Sequence, residues 1–385
     1  MNPVSLPYPT ELRLLTALRA FAALLVVLFH FAARTAPGSA LHTTLIDNGQ
    51  LGVDVFFVLS GFILAHVYLA RIDAGKFAFG DFLIARFARL YPMHLVMLLA
   101  AAVNGWLAFR HGLALDVYGP VMGLDPETGR GFGWHLLTNL ALLQAWGTAN
   151  GHYFNSVSWS ISAEACAYLL FPLIAAAALA FGNKGWLRVL AALALYCVCE
   201  AAAQVVLGAG LNDLSWHFGI LRIVPEFTLG VAIYALGAGK PMPAGVLRMV
   251  TPLAVAGVLG AMALGAPVVV MPPLFAGAIV LLANSERAGL VPPQWLLRPL
   301  VYLGEISYST YMLHFLLGKV YFNTVSRLFG YDPHALPTAQ VILAIVPMLL
   351  ASAVTFHFVE QPGRRLLRAL LKPLTARTST AAPVL

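Results

Sequence analysis

Apolar residues run along this chain in blocks of about twenty, and polar residues collect between the blocks. Ten blocks stand out, at approximately residues 12–33, 50–70, 91–109, 158–181, 186–207, 216–237, 246–265, 268–284, 299–321 and 338–358. A helix rises about 1.5 Å per residue, so roughly 20 residues cross the ~30 Å hydrocarbon core of a bilayer. A membrane β-barrel would instead show alternating segments of about 10 residues. Backbone in lipid must satisfy its hydrogen bonds within its own segment, which favours helices. The pattern predicts an all-α, polytopic integral membrane protein with about ten transmembrane helices. One further apolar run, "HLLTNLALLQAW" (His135–Trp146), is too short to cross. It reads as a re-entrant or interfacial helix inside an external loop, 110–157, and the preceding "GLDPETGRGFG" reads as turns.

Composition agrees. Of 385 residues, 60% are hydrophobic and 10% charged, with a mean hydropathy of +0.82. Soluble domains carry about a quarter charged residues. The net charge of +7 does not point to nucleic acid, because the basic residues cluster between the blocks. Ten spans place 17 of the 23 basic residues on one face, read as cytoplasmic with both termini. Residues 1–372 then form a single transmembrane domain and 373–385 a short, disordered cytoplasmic tail. Cys166, Cys197 and Cys199 fall inside apolar runs and read as small buried hydrophobes. No metal-ligand spacing, Gly-rich phosphate loop or Gly-x-Ser-x-Gly elbow is present, and no internal repeat of the transporter kind.

Ionisable groups inside spans cost roughly 2.5–3.5 kcal/mol each on insertion scales, so each asks for a reason. "RAFAALLVVLFHF" sets Arg19 and His30 eleven residues apart, about 16 Å along a helix and nearly on one face. Asp54 enters the second span from outside at nearly the depth of His30, as an orienter of a general base or as a helix-start residue bonding backbone amides. Glu164, in "WSISAEACAY", lies about a turn and a half into the fourth span, where a cavity-facing carboxylate fits better than a lipid-facing one. Arg86 and Arg89 are helix neighbours in "IARFARLYP", suited to gripping phosphates or simply to anchoring at the cytoplasmic edge. "LGEISYSTYMLHFLL" gives a polar stripe of Glu305, Tyr308 and Tyr311, with His314 deeper, as a packing residue or a substrate contact. Arg222 and Glu226, at i,i+4, read as a self-neutralising pair, and Glu360 as a partner of nearby arginines.

These stretches, in this order, resemble the membrane acyltransferase 3 family, whose members include bacterial sugar O-acetyltransferases. The resemblance rests on Arg19-x10-His30, "GQLGVDVFFVLSGFIL", Arg86-x2-Arg89 before "LYP", "SVSWSISAEACAYLLFP", "GEISYSTYMLH" and "VEQP". Where the family has a second acidic residue after the fourth-span Glu, this chain has Ala165. The resemblance implies a bacterial inner-membrane enzyme that takes an acyl group, acetyl first, from cytoplasmic acetyl-CoA or another acyl-CoA. The acceptor it implies is a hydroxyl of a periplasmic or cell-surface glycan. It assigns Arg19, Arg86 and Arg89 to the acyl donor and His30 to the transfer, with Asp54 and Glu164 as further catalytic candidates. Ser60, Trp159, Tyr308 and His314 are candidate substrate contacts. Expected partners are acyl-CoA, the acceptor and the bilayer, with no metal and no nucleic acid. Some similar proteins carry an appended periplasmic esterase-like domain; here direct delivery is expected. The competing reading is a permease exporting a glycan or small acid along the polar stripe. Such a protein moves unmodified substrate without consuming acyl-CoA.

Overall fold

In a computed structural model of the protein, residues 7–110, 129–149, 151–239 and 241–379 are described, and most of them are helical. In chain order the α-helices are α1 Arg13–Ala32, α2 Thr44–Asp47, α3 Gly52–Asp73, α4 Phe79–Arg110 and α5 Phe132–Leu140. There follow α6 Trp159–Ala180, α7 Gly185–Leu207, α8 Gly219–Gly237, α9 Ala244–Ala263 and α10 Met271–Arg287. The chain closes with α11 Gln294–Glu305, α12 Ser307–Phe329, α13 Thr338–Leu343, α14 Ile345–Thr355 and α15 Gln361–Ser379. Among the described residues nine helical stretches are long and apolar enough to cross a membrane. The expected all-α polytopic architecture is the one observed.

Three elements depart from the sequence reading. The third span begins at Phe79, not near 91, so Arg86 and Arg89 lie inside α4 and not before it. Their charges set the segment outside the apolar block as a helical edge, but they face a cavity, and the helix continues through Pro92. The ninth block is not one span over 299–321. It is two helices broken at Ile306, and α12, with 23 residues, has spanning length. Ser307, Ser309, Thr310 and His314 dilute its hydropathy, yet all four are buried in the bundle. Finally, α15 runs on to Ser379, through most of the expected tail. The turns expected around Asp125 lie outside the described residues.

Helix directions follow from contacts along their lengths. The Pro9 carbonyl meets His66, and Gly52 sits on the Ala22 carbonyl, so α1 and α3 run antiparallel. Thr16 meets Gly304, His30 meets His314 and Phe31 packs on Phe322, so α11–α12 runs with α1. The short α5 and the turn after it insert between α4 and α6: Tyr91 donates to the Leu140 carbonyl at 3.2 Å, and the Ala145 amide donates to Ser162 Oγ at 3.1 Å.

The most enclosed helices are α3 and α8, while α7 and α9 are peripheral. Without a hydrophobic drive between helices in lipid, small residues let backbones approach. A Cβ on Gly61 would sit 2.0 Å from the Phe227 carbonyl oxygen, and one on Gly230 equally close to that of Val58. Gly61→Ala is therefore expected to lower the melting temperature of the detergent-purified protein, with a cost at or above the ~1–3 kcal/mol of overpacking. Gly257→Ala on α9, where nothing lies within 4 Å of the added carbon, should be neutral or slightly stabilising through helix propensity. Equal melting of both variants would overturn the close-contact account.

Candidate active site

A cavity of about 1070 Å³, part of it open to the exterior, runs between α1, α3, α4, α6 and α12. Seven of the residues singled out in the sequence line it: Arg19, Ser60, Arg86, Arg89, Glu164, Tyr308 and Tyr311. The three arginines converge from α1 and α4. Among the described residues none of them forms an ion pair within 4 Å, and Arg86 Nε is buried without a hydrogen-bond partner. Glu164 is held in place by its neighbours, its Oε1 accepting from Ser60 Oγ at 2.9 Å and from Tyr168 Oη at 2.5 Å. Glu360 is buried in the π-helical turn Phe356–Glu360, accepts from Ser309 Oγ at 2.6 Å, and sits within electrostatic reach of Arg19 and Arg89. Arg19 and Arg89 thus lie near two carboxylates that each accept hydroxyl hydrogens on one oxygen, and without a close ion pair among the described residues the guanidiniums are able to receive an anion bidentately.

Tyr311 and Ser160 form the end of the cavity, with Tyr311 Oη accepting from Ser160 Oγ at 2.8 Å and donating to the Val157 carbonyl at 3.0 Å. One ring further on, His314 packs against Tyr311 with centroids 5.7 Å apart. His314 in turn meets His30, Nε2 to Nδ1, at 3.2 Å. Carbonyl oxygens only accept, so the contact of His314 Nδ1 with the Tyr311 carbonyl at 2.6 Å requires a hydrogen on that nitrogen. Its Nε2 then carries the lone pair that receives His30 Nδ1–H. The same N–H also points at the Val26 carbonyl, 2.9 Å away. Two acceptors therefore hold neutral His30 in the tautomer whose Nε2 lone pair is open, and among the described residues no hydrogen bond engages that atom. Such an imidazole is prepared to take a proton.

Four expectations fail geometrically. Asp54 is not the orienter of His30. It is fully buried and receives Arg222 from α8 bidentately, Nε to Oδ1 at 2.8 Å and Nη2 to Oδ2 at 2.7 Å, with Asn212 3.3 Å from both oxygens. Equal depth on two helices does not bring side chains together when they point around different sides of the helix axis. The i,i+4 pairing of Arg222 with Glu226 gives way to the same contact, and both carboxylate oxygens of Glu226 are buried without a hydrogen-bond partner among the described residues. Trp159 does not line the cavity either; its ring lies 5.4 Å from the Arg222 guanidinium and packs against Gly219 and Phe57. Glu305 ends α11 with an exposed side chain, since the break at Ile306 turns it out of the stripe that Tyr308 and Tyr311 continue. Tyr168 was missed, although its place four residues after Glu164 on a helix is the spacing that puts them in contact.

Fold and cavity together define an all-α membrane protein with a cation-lined chamber ending beside a histidine pair. Residues 13–357 match the model of a family described as an acyltransferase domain, and the chain belongs to that family, acyltransferase 3. Acyltransferase MdmB of Streptomyces mycarofaciens is 32% identical over 401 residues, covering 94% of both chains. Protein 2 in the picA locus of Rhizobium radiobacter is 35% identical over 162 residues, 40% of this chain and 78% of its own. The O-acetyltransferase OatA of Staphylococcus aureus (strain NCTC 8325 / PS 47) is 23% identical over 385 residues, 93% of this chain but only 58% of its own length. No solved structure matches the chain.

Proposed function

We propose that this protein transfers an acyl group, acetyl in the first instance, from cytoplasmic acyl-CoA to a hydroxyl of a glycan on the far side of a bacterial inner membrane. The observation that carries the reading is an arginine-lined cavity whose wall residue Tyr311 packs against His314, the ring that meets His30; the two histidines lie behind that wall and do not line the cavity themselves. The face bearing Arg13, Arg71 and Arg287 is read as cytoplasmic, with both termini on it. Arg19, Arg86 and Arg89 take the donor's pyrophosphate. From Arg19 to His30 is about 16 Å along α1, a distance suited to the extended pantetheine arm. His30 Nε2 accepts the proton of the acceptor hydroxyl as its oxygen attacks the thioester carbonyl. Collapse of the tetrahedral adduct breaks the carbon–sulfur bond, and the thiolate leaves with the proton from His30 as free CoA. Family membership favours this chemistry over export of an unmodified glycan.

The test is transfer of labelled acetyl from acetyl-CoA by membranes containing the full chain, with a hydroxyl-bearing glycan as acceptor. Arg19→Gln and Arg89→Gln should each raise the donor KM by about ten- to a hundredfold, the worth of roughly 1.5–3 kcal/mol for a hydrogen bond to a charged group. Movement of unmodified glycan without consumption of acetyl-CoA, or unchanged donor affinity in both variants, would overturn the reading.

A further inference from the structure

A second cavity lies at the basic end of the bundle, between the end of α3, the start of α4 and α15. Its wall presents Arg71, Lys76, Arg368 and Lys372 against the single carboxylate of Asp81. It is placed in line with the first chamber. On α3 the first cavity takes Ser60 and Ile63 and the second takes Tyr68 and Arg71; on α4 the second ends at Ala85 and the first resumes at Arg86. An arginine of each cavity flanks one aromatic ring of the second: the guanidiniums of Arg71 and Arg86 each lie 5.8 Å from the centre of Tyr68. Arg368 Nε, like Arg86 Nε, is buried without a hydrogen-bond acceptor among the described residues. Buried guanidinium nitrogens left unpaired in a cationic cavity ask for an anionic ligand, and phosphate oxygens match the guanidinium fork.

We infer that this second cavity holds the nucleotide end of the acyl donor, its basic side chains taking the 3′-phosphate while the purine lies against Tyr68 and Phe77. The inference rests on the acyl-CoA reading and extends it. If the Arg19, Arg86 and Arg89 ring takes the pyrophosphate and the pantetheine arm points toward His30, the adenosine must leave the ring on the opposite side. That side is where this cavity lies. The recognised chemistry is a phosphate ester, which a lipid headgroup also offers, so the experiment separates the two.

The substitutions are Arg71→Gln with Lys76→Gln, both exposed positions whose loss leaves the packed bundle intact, and Arg368→Gln as an independent second variant. Melting of each purified variant is recorded beside wild type. Two donors are compared, acetyl-CoA and S-acetyl-4′-phosphopantetheine, which lacks the nucleotide. The ratio of kcat/KM for acetyl-CoA to that for the shorter donor should fall about ten- to a hundredfold in the variants, and titrated adenosine 3′,5′-bisphosphate should bind wild type and not the double variant. An unchanged ratio with unchanged nucleotide binding would overturn the assignment. So would losses that are equal for both donors and track the phosphatidylglycerol content of the vesicles, which would mark a lipid headgroup site. Should wild type consume neither donor, the transferase reading falls by itself, and the bisphosphate titration still decides whether this cavity takes a nucleotide.

Discussion

Replacing His30 with alanine is expected to lower acyl transfer by about 10² to 10⁴-fold, the range that a positioned general base contributes, while leaving the donor KM within a few-fold of wild type. The donor-binding arginines lie roughly 16 Å away along α1, so removing the imidazole should cost kcat alone. His30→Gln, which keeps size and polarity but has no basic nitrogen, should be as inactive as alanine. His314 is expected to behave differently. It is buried and supplies one of two acceptors for His30 Nδ1–H, the other being the Val26 carbonyl. Its loss weakens the tautomer bias without removing the base. His314→Leu should therefore reduce kcat less than any His30 variant does. His314→Gln, whose side-chain oxygen stands near the place of Nε2, should recover part of that loss. The measurement is steady-state transfer with both substrates varied. Full activity in His30→Gln would remove the proton-transfer role, and indistinguishable Leu and Gln variants at 314 would remove the tautomer account.

What was legible in the sequence follows the physics of each signal. Hydropathy blocks located the crossing helices because lipid enforces apolarity over a fixed length. Charge inside those blocks pointed to the interior because it costs too much elsewhere, and Arg19 and Glu164 do share a cavity, together with Arg86 and Arg89 from just outside the third block. The same signals misled where a polar element is enclosed by protein and not by lipid. Residues 79–90 carry too much charge to count toward a span although they begin α4, and the Ser- and Thr-rich start of α12 falls in the middle of an expected span that is broken at Ile306. Pairing was the least legible feature. Arg222 reaches Asp54 across 168 residues of chain, and the contact depends on which way two helices face. Neither depth nor periodicity encodes that. His314 shows the same limit from the other side: its distance from His30 in sequence gave no hint that the two rings touch.

The pairing of Asp54 with Arg222 carries the second large expectation, because it separates two roles that the sequence left open. Both side chains are buried, at 0% and 2% exposure, and the guanidinium is also held by the Asn212 carbonyl at 2.8 Å. Removing one member of such a pair strands a charge and typically costs about 3–5 kcal/mol, whereas replacing both by apolar side chains is often near neutral. Arg222→Met alone strands Asp54 beside the buried Glu226, which shares α8 with Arg222, and should leave little folded protein in the membrane. Asp54→Leu combined with Arg222→Met should recover most of it, as read by detergent melting and fluorescence-detected size exclusion. Activity of that double variant then decides the role. If Asp54 only joins α3 to α8, the recovered protein transfers acyl groups at a rate within about tenfold of wild type, since misplacement by even an ångström is felt in catalysis. A double variant that folds and yet is as inactive as His30→Ala would return Asp54 to the reaction, acting through Asn212 or Arg222 on the acceptor side. Geometry argues for the first outcome, because a carboxylate clasped bidentately by a buried guanidinium has no lone pair aimed at an imidazole that already has two acceptors of its own.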